Sequence, residues 1–94
     1  MRTAARVDDN QGAIVKVLRK AGASVRSTAA IGKGFPDIVV GYKGINYLCE
    51  IKDGAKVKSA QKLTPDEQDF YESWKGQLWI IRNEQEALEM LSII

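Results

Sequence analysis

The sequence predicts an α/β fold: one domain spanning residues 1–94, with element order αβββαβα and a mixed central sheet flanked by helices. Three observations predict it. Apolar residues recur at three- and four-residue steps near both ends of the chain, and short runs rich in β-branched residues lie between them. A helix with its own start signal separates the last of these runs from the others, so a crossover must carry that strand back into the sheet.

From Asp8 to Gly22 the residues Ile14, Val17, Leu18 and Ala21 share one helical face, and Gly22 supplies a stop. Asp8 and Asp9 sit where a helix N-terminus favours negative charge, which makes capping a sufficient role for at least one of them. Val25 to Ala30 reads as a first strand, and Gly32-Lys33-Gly34 interrupts regular structure. Asp37 to Tyr42 and Asn46 to Lys52 read as a hairpin across Lys43-Gly44-Ile45. Asp53 to Leu63 is polar, basic and aperiodic, a loop of a length that is often functional. Thr64-Pro65-Asp66-Glu67 is a helix start with a threonine cap, proline at the first position and glutamate completing a capping box. That helix is expected to reach about Lys75 before Gly76. Leu78 to Arg82 is a buried strand, and Asn83 with Glu86 caps a last helix that carries Ala87, Leu88 and Leu91 on one face.

A chain of 94 residues buries only roughly 60–65% of its unfolded surface, so a partner subunit would help it. Hydrophobic residues make up 45% and charged residues 28%, which argues against disorder and against a disulfide scaffold. Its longest apolar runs fall far short of the roughly 20 residues of a membrane span. Arg2 and Arg6 are followed by no apolar segment of a secretory signal, so the expected location is intracellular, in the cytoplasm. The lone Cys49 lies in an apolar run and reads as a buried reduced thiol. Histidine is absent, which removes His-Cys zinc sites and Ser-His triads and leaves carboxylate and lysine chemistry.

The net charge of +2 hides an asymmetry: 12 Lys and Arg against 5 Asp and Glu up to Thr64 (+7), then 2 against 7 from Pro65 onward (−5). A basic section that also holds the candidate chemistry points to an anionic partner.

That chemistry centres on Asp37, Glu50 and Lys52. Side chains alternate along a strand, so Glu50 and Lys52 share one side while Ile51 takes the other. Asp37 opens the neighbouring strand after Pro36, where the hairpin can bring its carboxylate toward Glu50. Two converging carboxylates suit Mg²⁺ or Mn²⁺, with the Ile51 carbonyl as a further ligand, and a nearby ammonium can position water and offset charge on a phosphate. Taken singly, each segment is better explained as a solvated strand-end pair or a turn residue. The combined order, proline-aspartate before Glu50-Ile51-Lys52 on the next strand and a helix on each side, is more specific.

Gly34-Phe35-Pro36-Asp37 followed by Glu50-Ile51-Lys52 resembles the PD-(D/E)XK nuclease superfamily. With Leu63-Thr64-Pro65-x-x-Gln68 included, nearly the whole chain resembles the compact virus-type members of the VRR-NUC family. The resemblance implies a restriction-endonuclease-like core, metal ligation by Asp37 and Glu50, a catalytic Lys52, and Gln68 looking back at the site. It also implies a supporting residue on the first helix, for which Gln11 is favoured and Asp8 or Asp9 could substitute. The implied activity is Mg²⁺- or Mn²⁺-dependent cutting of DNA, by a homodimer acting on branched substrates such as four-way junctions, as in phage DNA processing. Two identical sites suit two symmetric incisions. Lys33, Lys43, Lys56, Lys58 and Lys62 are then candidate phosphate contacts, though each taken alone is more often just solvated. Phe70, Trp74, Trp79 and Ile80 read as core or dimer surface rather than base-stacking platforms. The alternative from a different class is a DNA-binding module that keeps the fold without catalysis; a third is an assembly subunit with an accidental motif.

Overall fold

The computed structural model describes residues 8–94; Arg2 and Arg6 lie outside the described residues. Helix α1 (Gln11–Lys20) is followed by strands β1 (Ser24–Ser27), β2 (Ile38–Tyr42) and β3 (Ile45–Ile51), then α2 (Pro65–Ser73), β4 (Leu78–Ile81) and α3 (Glu84–Met90). Single 3-10 turns stand at Ala29–Ile31 and Lys58–Gln61. The element order is the one the sequence predicts, and the differences lie at element ends.

No side chain caps α1 at Asn10, and its first turn closes when the Gln11 N–H donates to the carbonyl of Asp8. The acidic pair precedes the helix instead of capping it. Gly22 stops α1 as expected: at φ 102° it donates to Arg19, and Ala23 donates back to Leu18.

Strand β1 is shorter than Val25 to Ala30. Beyond Ser27 the local Ser and Thr side chains compete with the ladder: the Ser27 hydroxyl accepts from the Ala29 N–H and the Thr28 hydroxyl donates to the Pro36 carbonyl. Residues Ala29–Ile31 turn instead of extending. The hairpin loop contains two residues, Lys43 and Gly44, both at positive φ (50° and 79°). That pair matches the right-handed twist of the strands, so Ile45 joins β3 opposite Tyr42. Helix α2 carries the expected capping box, in which Thr64 accepts from the Glu67 N–H and Glu67 accepts from the Thr64 N–H. It ends at Ser73, before Lys75, because Trp74 is extended. Asn83 caps α3 by accepting from the Glu86 N–H.

The strands lie in the order β1-β2-β3-β4, the first three antiparallel and β4 parallel to β3. Parallel pairing requires a crossover, and α2 supplies it. One face of the sheet holds the core: Val25, Ile38, Val40, Tyr47, Cys49, Ile51 and Ile81 meet Ile14 and Leu18 of α1 and Ala87, Met90 and Leu91 around α3. Cys49 is buried and free, and burial pushes its thiol up to about 12, as expected of an inert core cysteine.

The other face is covered thinly by α2, none of whose side chains is fully buried. Phe70 and Trp74 stack at 4.9 Å, and Phe35 meets Phe70 edge-on at 5.2 Å. Trp74 on this face and Trp79 on the α3 side are exposed, whereas Phe35 and Phe70 are half-buried. Backbone contact fixes α2 on the sheet: Gly34 has φ 80°, and a Cβ there would collide with the Asp66 carbonyl group.

Candidate active site

Strand register places the first carboxylate. Ile38 pairs with Cys49, which leaves Asp37 opposite Glu50 at the strand ends, and the Asp37 N–H donates to the Cys49 carbonyl. The Asp37 carboxylate accepts from the Ile51 N–H at 2.7 Å. Asp37 is therefore held at both backbone and side chain.

Glu50 and Lys52 are buried, at 5% and 8% exposure, and burial of ionisable groups is costly unless something compensates. Burial, then the charge of Asp37, pushes Glu50 far above the usual carboxylate range. Burial also raises Asp37, partly offset by the Ile51 N–H.

Lys52 finds its partner on α2. Its ammonium donates to Glu67 Oε1 at 2.8 Å and lies 3.8 Å from Glu50 Oε2. Desolvation disfavours the ammonium, yet the hydrogen bond and charge of Glu67, with Glu50 behind them, outweigh it and hold Lys52 above its ordinary value. Glu67 in turn lies below the usual range: burial opposes this, but Lys52 and the Thr64 N–H prevail. Lys52 thus hydrogen-bonds to Glu67 and lies within ionic range of Glu50.

Asn10 braces the site from below. Its amide donates to the carbonyls of Lys52 and Arg82, at 3.1 and 2.9 Å, tying the ends of β3 and β4 to the start of α1. These groups open onto a cleft of about 340 Å³ lined by Asp8, Asp37, Glu50, Ile51, Lys52, Lys56, Lys62, Thr64 and Glu67. Among the described residues no three Asp, Glu or Cys side chains form a ready-made metal cage.

The other expected site residues divide. Asp8 lines the cleft, Asp9 is 88% exposed beside Lys56 at 3.9 Å, and Gln11 is buried with its Oε1 finding no partner among the described residues. Gln68 does not look back at the site: it is exposed and donates to Glu72. Adjacent helix residues point about 100° apart, so the capping geometry that turns Glu67 inward turns Gln68 outward. Lys56 and Lys62 line the cleft, and Lys58 shares an adjoining hollow with Gln61, Lys62 and Arg82. Lys33 is exposed in the loop before Asp37. Lys43 stands at the opposite end of β2, roughly 17 Å along a five-residue strand, with its ammonium over the Tyr42 ring. It is too remote to share a phosphate with the cleft.

Sequence reasoning gives Glu67 only its capping role and misses Asn10. For Glu67 a signal exists: a capping-box glutamate at the start of the helix after an E-x-K strand. Asn10 offers none, since its partners lie 42 and 72 residues away.

A mixed four-stranded sheet flanked by helices, with two carboxylates and a lysine at its strand ends, is consistent with a restriction-endonuclease-like fold. The chain is similar to a solved structure described as a "VRR_NUC domain", with a TM-score of 0.58, 19% identity, and coverage of 88% of this chain and 95% of that one. At this identity the likeness is one of fold. No family model and no curated protein matches the sequence. Among the described residues no helix is long and apolar enough to cross a membrane.

Proposed function

We propose that the chain is a VRR-NUC-type, metal-dependent endonuclease that hydrolyses DNA phosphodiester bonds, acting as a homodimer on branched substrates such as four-way junctions. The observation that carries this reading is the convergence of Asp37, Glu50 and Lys52 in one open cleft, on a fold shared with a VRR_NUC domain. Two facing carboxylates at adjacent strand ends, open to the cleft, form a donor set that fits a hard divalent cation. Asp37, Glu50 and the Ile51 carbonyl would hold Mg²⁺ or Mn²⁺, which when bound polarises the phosphate and activates water.

The chain's own residues supply the rest. Asp37 is oriented by the Ile51 N–H, which one of its oxygens accepts. Lys52 presents a positive charge at the cleft, where a phosphate gaining negative charge is stabilised. Lys56 and Lys62 on the cleft wall, with Lys58 and Arg82 beside them, can hold flanking phosphates without reading sequence.

The test is cleavage of labelled four-way junction and matched linear duplex with Mg²⁺, Mn²⁺ or EDTA, with Lys52→Ala and Asp37→Ala as controls and light scattering for the dimer. Metal-dependent junction cutting lost in both variants is the expected result. Binding of DNA without cutting under any condition would instead establish a non-catalytic DNA-binding module.

A further inference from the structure

We propose that Glu67 is a positioning residue for Lys52, a second role for a side chain whose helix-capping function is already accounted for; this rests on the nuclease reading of the site. Lysine has a long, flexible side chain with many rotamers, so its ammonium does not hold one position unless something fixes it. The Lys52 backbone is fixed, since its N–H donates to Ile81 and its carbonyl accepts from Asn10. Among the described residues the side chain beyond it meets one hydrogen-bonding partner, Glu67, at 2.8 Å, while Glu50 at 3.8 Å is beyond hydrogen-bond reach.

Glu67 is itself immobilised. The same Oε1 that takes the lysine proton accepts from the Thr64 N–H at 2.9 Å, and the Glu67 N–H donates to the Thr64 hydroxyl. The first turn of α2 rests backbone-to-backbone on Gly34, which has no room for a Cβ. The pair is largely shielded from solvent, with side-chain exposures of 10% for Lys52 and 18% for Glu67. A helix terminus thus becomes a rigid post, and the ammonium is aimed from it into the cleft that Asp37 and Glu50 share. The capping role alone does not need this contact, because glutamine completes a capping box as glutamate does. Only the negative charge is specific to Lys52.

That difference defines the experiment. Glu67→Gln keeps the box and removes the charge, whereas Thr64→Ala removes half of the box and keeps the charge. The full-length variants are compared by thermal melting, by the ¹H–¹⁵N signal of the Lys52 ammonium, and by kcat and KM for four-way junction cleavage with Mg²⁺. The parent is expected to show a protected, slowly exchanging Lys52 ammonium. Glu67→Gln is expected to melt near the parent, lose that signal, and lose roughly 10- to 100-fold in kcat with little change in KM. Thr64→Ala is expected to melt lower yet keep the signal. An unprotected Lys52 ammonium in the parent, a protected one in Glu67→Gln, or unchanged or increased kcat in Glu67→Gln would each overturn the proposal. A parent that cuts no DNA sinks the nuclease reading instead, and the ammonium signals still decide whether Glu67 holds Lys52.

Discussion

Gly34 and Asp66 meet backbone to backbone: a Cβ on Gly34 would overlap the carbonyl group of Asp66, and Gly34 sits at φ 80°. The loop that delivers Pro36 and Asp37 to the sheet is thereby pressed against the first turn of α2, which delivers Glu67 to Lys52. Gly34→Ala should incur both the left-handed backbone penalty and the collision, a loss of about 1–3 kcal/mol. Urea denaturation measures it, and junction cleavage should fall with it. Parent-like stability would show that the loop and α2 separate without cost.

Asn10 holds the ends of β3 and β4 together through two carbonyls. Asn10→Ala leaves both partly buried acceptors without this donor, and a loss of about 1–3 kcal/mol is expected. The loss should appear as a lower denaturation midpoint with an unchanged urea dependence. A change within error would place the bracing of these strands elsewhere.

The raised pKa of Glu50 gives a pH signature. Its folded pKa lies above the ordinary 4.5, so above that pH the folded protein binds a proton that the unfolded chain releases. Stability from this group is fully present below 4.5 and is lost as pH rises, by at most about 1.4 kcal/mol per pH unit. Glu50→Gln should therefore flatten the stability profile from about pH 5 to 9, while abolishing cleavage. Parallel profiles for parent and variant would contradict the assignment.

If Asp37 and Glu50 hold a divalent cation as proposed, its loading must displace that proton. Apparent Mg²⁺ or Mn²⁺ affinity is expected to rise with pH, with proton release visible by calorimetry in buffers of different ionisation enthalpy. Cation binding with no proton released would mean that Glu50 is not a ligand.

The lysines near the cleft should contribute through phosphate charge. Replacing Lys56 and Lys62 together by alanine should weaken junction binding and reduce the slope of log K against log salt by about 0.9 per lost duplex phosphate contact. Lys43→Ala, at the far end of β2, should leave the slope unchanged. Equal effects from both substitutions would point to a diffuse basic surface.

The sequence by itself determined the element order, the core face of α1, the capping box of α2 and the convergence of Asp37 with Glu50. These follow from periodicity, turn chemistry and strand alternation, which are properties of neighbouring residues. Element ends were less legible: Ser27 and Thr28 bond locally and end β1, and the twist preference of Lys43-Gly44 draws Ile45 into β3. Only the tertiary structure decided that Glu67 and not Gln68 faces Lys52, that Asn10 spans two strand ends, that Asp8 lines the cleft while Gln11 is buried beside it in sequence, and that Lys43 lies far away. Each of those depends on how separate elements are rotated and spaced against one another, which backbone contact between Gly34 and α2 and strand register set at long range.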